Sequence, residues 1–145
     1  MAQQGNGPLK GKVAFVTGAS RRIGRATALG LAREGADLLV NARSARDEVE
    51  AVAAEVRKLG RRAEVVMGDV SDEADVARMA GEAKAAGVVI YTIGLGADVE
   101  AEALAEIASR PEGYYPAPEA GALAGIYAQI AVALPCPAGA FWGGR

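Results

Sequence analysis

Apolar positions along the chain follow two rhythms: short, near-continuous runs rich in β-branched residues, and longer stretches in which apolar side chains recur at helical spacing. Alternation of this kind is the pattern of stacked βαβ units around a parallel sheet. Five strands are predicted, at Val13 to Thr17, Asp37 to Asn41, Ala63 to Met67, Val88 to Ile93, and a weak fifth at Tyr114-Tyr115. The first two are apolar almost throughout, as strands covered on both faces should be. Pro116 and Pro118 remove backbone donors beside the fifth, which suits an edge.

Helical stripes lie between the strands. In the first helix Ile23, Thr27, Gly30 and Leu31 are expected to face inward, with a break at Gly35. In the second, Ser44 is the expected N-cap, Val49, Val52, Ala53, Val56 and Leu59 form the stripe, and Gly60 ends it. Ser71 is expected to cap a third helix that buries Val76, Met79, Ala80 and Ala83, and Asp98 a fourth that buries Leu104 and Ile107. A fifth starts near Pro118, carries Leu123, Ile126, Tyr127, Ile130 and Leu134, and is stopped by Pro135 and Pro137. The tail from Ala138 to Arg145 lacks periodicity, so Phe141 and Trp142 should fold back on the surface or remain loose. The predicted fold is a doubly wound, Rossmann-like three-layer αβα sandwich. It has about five mostly parallel strands in the order 3-2-1-4-5, in one domain over residues 1–145.

Composition narrows the function classes. With 51% hydrophobic and 23% charged residues, the 145-residue chain reads as one globular domain with a real core. Sixteen basic against 18 acidic residues leave a formal charge of -2, so there is no basic excess to attract nucleic acid or an anionic membrane. No apolar run approaches the ~20 residues of a membrane span, and the N-terminus is polar, so a cytoplasmic location is expected. Cys136 stands alone and there is no histidine, which excludes an intramolecular disulfide and a His/Cys metal cluster.

The candidate chemistry lies where the first strand runs through Thr17-Gly18-Ala19-Ser20-Arg21-Arg22-Ile23-Gly24-Arg25 into a helix. Backbone N–H groups and the dipole at a helix N-terminus attract a pyrophosphate, provided that small residues let it come close. From Lys12 to about Ala80 the chain resembles the short-chain dehydrogenase/reductase family, whose Thr-Gly-x-x-x-Gly-x-Gly turn matches at Thr17, Gly18 and Gly24. The motif's middle glycine is Arg22 here, a side chain that either obstructs the cofactor or swings outward and supplies charge. The second strand ends in Asn41-Ala42-Arg43-Ser44, without the acid that would select NAD by binding the ribose 2′-hydroxyl. By resemblance, Arg21 and Arg43 stand where NADP-preferring members place basic residues, which favours NADP(H), and Asp69-Val70 resembles the pair bordering the adenine ring. The cofactor-binding set is therefore Gly18, Ser20, Arg21, Arg22, Ile23, Gly24, Arg43, Asp69 and Val70.

The second half changes character. The strand leading into Gly94-Leu95-Gly96-Ala97-Asp98, together with Tyr114-Tyr115-Pro116-Ala117-Pro118, resembles the C-terminal part of a von Willebrand factor type A domain over residues 83–142. That resemblance implies a chimera of a dehydrogenase-like front half, 1–82, and a von Willebrand A-like back half, 83–145. Its seam would fall around Met79 to Ala86, and it would be an engineered or recombined scaffold. The dehydrogenase resemblance implies a Tyr-x-x-x-Lys pair, a serine and an Asn-Asn-Ala-Gly turn for catalysis. All four lysines, Lys10, Lys12, Lys58 and Lys84, precede the first tyrosine, Tyr91, so the pair cannot form. The other family's metal site needs Asp-x-Ser-x-Ser after the first strand, where Thr17-Gly18 stands, so no metal is expected. Ser20, Ser44, Ser71 and Ser109 have no histidine or suitably placed lysine to act as base. The expectation is a chain without catalytic residues that is not an enzyme, with NADP(H) as a possible dinucleotide ligand. It would be a monomer or a weak homodimer through the Tyr114-Tyr115 edge. The alternative is a natural NADP(H)-binding module of the dehydrogenase family, or an oxidoreductase completed by a partner.

Overall fold

In a computed structural model that describes residues 7–134, the chain divides between Val88 and Val89 into two compact units. The first alternates strand and helix three times: β1 (Val13–Val16), α1 (Arg22–Arg33), β2 (Asp37–Ala42), α2 (Arg46–Lys58), β3 (Ala63–Met67) and α3 (Glu73–Ala85). All strands are parallel, with β2 between its neighbours; Val16 lies opposite Val40, and Ala42 opposite Met67. Central placement buries β2 from Leu38 to Ala42, which explains why it reads as an unbroken apolar run up to Asn41. Asp37 opens the strand by taking a two-pronged pairing from Arg62, Nε to Oδ2 at 2.8 Å and Nη2 to Oδ2 at 2.7 Å.

The α2 stripe is the best-read element of the core except at Leu59, which follows the last residue of the helix and is 38% exposed. Val49, Val52, Ala53 and Val56 are all at 1% exposure or less, and they pack with Leu38, Val40 and the α1 residues Ala28, Leu29 and Ala32. In α1 the structure corrects half of the expected face: Gly30 and Leu31 are half-buried, with Leu31 packed against the core, but the other two residues are not. Ile23 is 83% exposed and Thr27 is also exposed, whereas Ala28, Leu29 and Ala32 are buried. Gly24, Ala28 and Ala32 recur every fourth residue, and this ridge of small residues lets the helix approach backbone; the bulkier ridge through Ile23 and Thr27 is turned about one residue's rotation away.

Two expected caps are also corrected. The residue before α2 is Ala45, with no side-chain cap, while the Ser44 carbonyl accepts the Arg46 N–H at 2.9 Å. Asp72 caps α3 by accepting the Asp75 N–H at 2.9 Å, because Ser71 is already committed to Asp69.

The second unit contains β4 (Thr92–Leu95), α4 (Ala101–Ile107), β5 (Tyr114–Ala117) and α5 (Leu123–Ala133). β4 and β5 pair in parallel, with Gly94 opposite Pro116. β4 starts later than the apolar run suggests. The Ile90 N–H donates to Ser109 Oγ at 2.8 Å and its carbonyl accepts the Ser109 N–H at 2.9 Å, so this backbone is satisfied by a serine instead of a strand partner. Glu100, not Asp98, precedes α4, in which Leu104 and Ile107 are half-buried. α5 begins at Leu123 after a short 3-10 turn, Ala120–Ala122; of its stripe Ile126 is buried, Leu123 and Ile130 are half-buried, and Tyr127 and Leu134 are exposed. Pro135, Cys136, Pro137, Phe141 and Trp142 lie outside the described residues.

The Rossmann-like α/β class, with parallel strands and five helices, is as the pattern predicts. Instead of the expected single sheet of order 3-2-1-4-5, the described strands form two separate hydrogen-bonded ladders, β3-β2-β1 and β4-β5. No described helix is long and apolar enough to cross a membrane. Val56→Ala should lower the unfolding free energy by about 2 kcal/mol, since it empties a fully buried position between α2 and the sheet. Urea unfolding should show a lower midpoint with an unchanged slope.

Candidate nucleotide-binding site

Parallel register delivers the C-terminal ends of β1, β2 and β3 to one edge of the first sheet, so the turns that follow them stand side by side. In the β1 turn Gly18 adopts φ 61°, a left-handed conformation that glycine takes without strain. Its N–H donates to Asn41 Oδ1 at 3.3 Å, and the next amide, Ala19 N–H, donates to the Asn41 carbonyl at 2.8 Å. Ala19 is fully buried and Ser20 half-buried, while Arg21 is extended and exposed just before α1. Gly24 is required by packing. A Cβ there would overlap the Gly18 carbonyl oxygen and come within 2.7 Å of the Gly18 carbonyl carbon.

Arg22 is the one non-glycine residue at positive φ among the described residues, at 50°. The backbone has kept the conformation that suits a glycine, and the side chain is exposed at the start of α1. Around it, Arg25 pairs with Glu55 at 2.7 Å, and no carboxylate occupies the first turn of α1.

The other two turns bring Arg43 and Asp69 together. Arg43 Nη1 lies 3.8 Å from Asp69 Oδ2, with the arginine mostly exposed. Ser71 donates its hydroxyl at 2.6 Å and its N–H at 2.9 Å to Asp69 Oδ1. The Ser71 hydroxyl and N–H, with the nearby Arg43 charge, hold the Asp69 carboxyl below the usual carboxylate range. Asp69 N–H in turn donates to Asp75 Oδ2 at 2.8 Å, which ties the turn to α3. Val70 is exposed beside it. Gly18, Ser20, Arg21, Arg22, Ile23 and Gly24 thus belong to one turn, and Arg43, Asp69 and Val70 to the two adjacent ones.

Asn41 is the residue that sequence reasoning passed over, since it entered only as the absence of an acid. At 2% exposure it is one of two buried polar residues among those described, and its Nδ2 donates to the carbonyls of Val66 at 2.9 Å and Gly68 at 3.1 Å. The available signal was a single amide side chain closing an apolar central strand, where a polar group must be satisfied internally.

The family model for short chain dehydrogenases matches residues 12–106. The chain belongs to the short chain dehydrogenase family. Among curated relatives, a hydroxynaphthalene reductase-like protein of Metarhizium brunneum is 45% identical over 75 residues, 52% of this chain and 28% of that protein. An L-rhamnose 1-dehydrogenase (NAD(P)(+)) of Sphingomonas is 47% identical over 64 residues, 44% of this chain and 25% of that protein. Among solved structures, a short chain dehydrogenase of Burkholderia cenocepacia in complex with NADP is similar over 69% of this chain and 46% of that one, with 31% identity and a TM-score of 0.54.

These similarities correct two expectations. The family match runs through residue 106, across the expected seam at Met79 to Ala86, so the start of the second half belongs with the first and does not mark a chimera. The expectation of a non-enzyme is overturned as well, because the relatives are named reductases and dehydrogenases. A missing Tyr-x-x-x-Lys pair bears on a whole short chain dehydrogenase, and this chain spans about a quarter of the length of the curated relatives it matches.

Two substitutions test the turn. Arg22→Gly should raise stability by about 1 kcal/mol by relieving the left-handed strain, less the entropy that glycine adds to the unfolded chain. Gly24→Ala should cost more than about 2 kcal/mol, because the clash is with backbone that cannot swing aside. Both are read from denaturant unfolding curves, and a neutral Gly24→Ala would mean that α1 does not pack on the turn.

Proposed function

We propose that the edge formed by the β1, β2 and β3 turns binds NADP(H) as the nucleotide-binding part of a short chain dehydrogenase that interconverts a carbonyl and an alcohol. The observation that carries this reading is the combination of Gly18 and Gly24 with an α1 N-terminus that has no carboxylate in its first turn. A Cβ at Gly18 would meet nothing within 4 Å, so the turn presents open space where a phosphate can approach backbone, and the residues present fit the group. Gly18, Ser20 and the amides at the start of α1 would take the pyrophosphate, with Arg21 and Arg22 supplying charge. Arg43, with Arg21, would take the 2′-phosphate, a fit of guanidinium to phosphate that an acid at the end of β2 would have opposed. Asp69 and Val70 would border the adenine, and Ile23 would cover the pyrophosphate from the first turn of α1.

When bound, the nicotinamide supplies the hydride that such a reaction exchanges. This chain's contribution is to bind and orient the dinucleotide. The groups that donate and remove the proton would lie in parts of the enzyme that this chain does not match, since no Tyr-x-x-x-Lys pair occurs in it. Support for an NADP preference comes from the Burkholderia structure, which is a complex with NADP, and from Arg43.

Titration with NADPH, followed by nucleotide fluorescence, should give a saturable signal, and no saturation up to about millimolar ligand would overturn the reading. Arg43→Asp should weaken NADPH about tenfold, or about 1.4 kcal/mol, while leaving NADH unchanged or slightly tighter.

A further inference from the structure

Asn41 occupies a place that the binding reading leaves unused. Its side chain reaches in two directions from the last buried turn of β2: Oδ1 accepts the Gly18 N–H at 3.3 Å, and Nδ2 faces the carbonyls of Val66 at 2.9 Å and Gly68 at 3.1 Å. Its backbone carbonyl also accepts the Ala19 N–H at 2.8 Å. The pattern fixes which end of the amide is which, because the oxygen meets a donor and the nitrogen meets acceptors. Met79 Sδ, 3.3 Å from Nδ2, closes the site from α3. Gly68 has no slack. A Cβ on it would come within 2.7 Å of Met79 Sδ and 2.9 Å of Arg78 Nη2, and its N–H donates to the Ala42 carbonyl at 3.1 Å.

One buried amide therefore joins the turn assigned to the pyrophosphate with the turn that leads into Asp69 and the adenine. We propose that Asn41 is a positioning residue that sets the separation of these two turns, so that one dinucleotide can engage both at once. The proposal rests on the NADP(H)-binding reading and deepens it. A ligand whose two ends contact two turns gains from their being held at the right distance, as a bivalent ligand gains from a matched spacer. A ligand that contacts one turn gains nothing from that spacing. An apolar residue of similar size would satisfy the sheet's packing but leave the Gly18 amide and the Gly68 carbonyl to find other partners.

Asn41→Asp separates the two arms. Its carboxylate can still accept from Gly18 N–H, but it turns an oxygen towards the carbonyls of Val66 and Gly68 where the amide had donors. Asn41→Leu removes both arms. The dissociation constants of NADPH, adenosine and inorganic pyrophosphate are measured for wild type and both variants, with circular dichroism to confirm the fold. NADPH should weaken about tenfold in each variant while the two half-ligands change by less than about twofold. Unchanged NADPH affinity, or an equal loss for all three ligands, overturns the positioning role. Failure of the wild type to bind NADPH instead overturns the binding reading on which it rests. If the variants do not fold, amide resonances of the wild type decide: adenosine, which reaches only the turn after β3, should shift the Asn41 side-chain amide and Gly18 together with Gly68. A shift confined to Gly68 and Asp69 would overturn the proposal.

Discussion

Parallel pairing of β1, β2 and β3 is the constraint from which the candidate site follows. Parallel strands end on the same edge, so three chain reversals crowd together there and each leaves backbone donors and acceptors that the ladder no longer satisfies. At the middle of that edge β2 is buried on both faces and water cannot supply the partners. Asn41 meets this need with one side chain, accepting from the turn on one side and donating to the turn on the other. The same crowding explains Gly24, Ala28 and Ala32. A helix that must start against the carbonyl of Gly18 carries small side chains along the ridge that begins there.

Electrostatics then separates α1 from its neighbours. The first turn of α2 holds Asp47 and Glu48 and that of α3 holds Glu73 and Asp75, so each answers the positive end of its own helix dipole with carboxylates. The first turn of α1 has none, and arginines stand in their place. Two helices thus answer their own dipoles, while the N-terminal field of α1 is left without a carboxylate from its first turn. Asp69 does not spoil this arrangement, because its charge is taken up by Ser71 and Arg43.

Legibility in the sequence followed the strength of periodicity. The stripe of α2 and the bounds of β3 were readable because burial there is set by regular spacing alone. The buried face of α1 was not, because small residues carry little hydrophobic signal and the choice between two ridges was made by close approach to backbone. β4 was misplaced for a related reason. The run from Val88 to Tyr91 is as apolar as a strand, but hydrogen bonds from Ser109, far along the chain, hold Ile90 outside the ladder. The glycines of the site were visible as a motif, whereas Asn41 was not, since its role depends on the adjacency of β1, β2 and β3, which only the sheet order supplies. The apparent foreignness of the second half rested on two short motifs, the turn at Gly94 to Asp98 and Tyr114 to Pro118, and the family match runs to residue 106, past the first of them.

Arg22 shows how the free and bound states of such a turn must differ. A left-handed conformation in a non-glycine residue costs about 1 kcal/mol or more, and a positive side chain at a helix N-terminus adds about 0.3–1 kcal/mol of unfavourable dipole interaction. Both costs fall on the ligand-free protein. An anion on the same N-terminus changes the sign of the second, since the arginine then faces a negative charge that the helix dipole also favours. The strain is not relieved, but the conformation that causes it is the one in which the backbone follows the path of a glycine turn. The residue is therefore costly in the empty turn, and the pyrophosphate proposed for this turn would offset the part of that cost that comes from its charge. An arginine at the motif's middle glycine thus makes the free turn less stable on its own and places a positive charge where the proposed NADP(H) binding needs one.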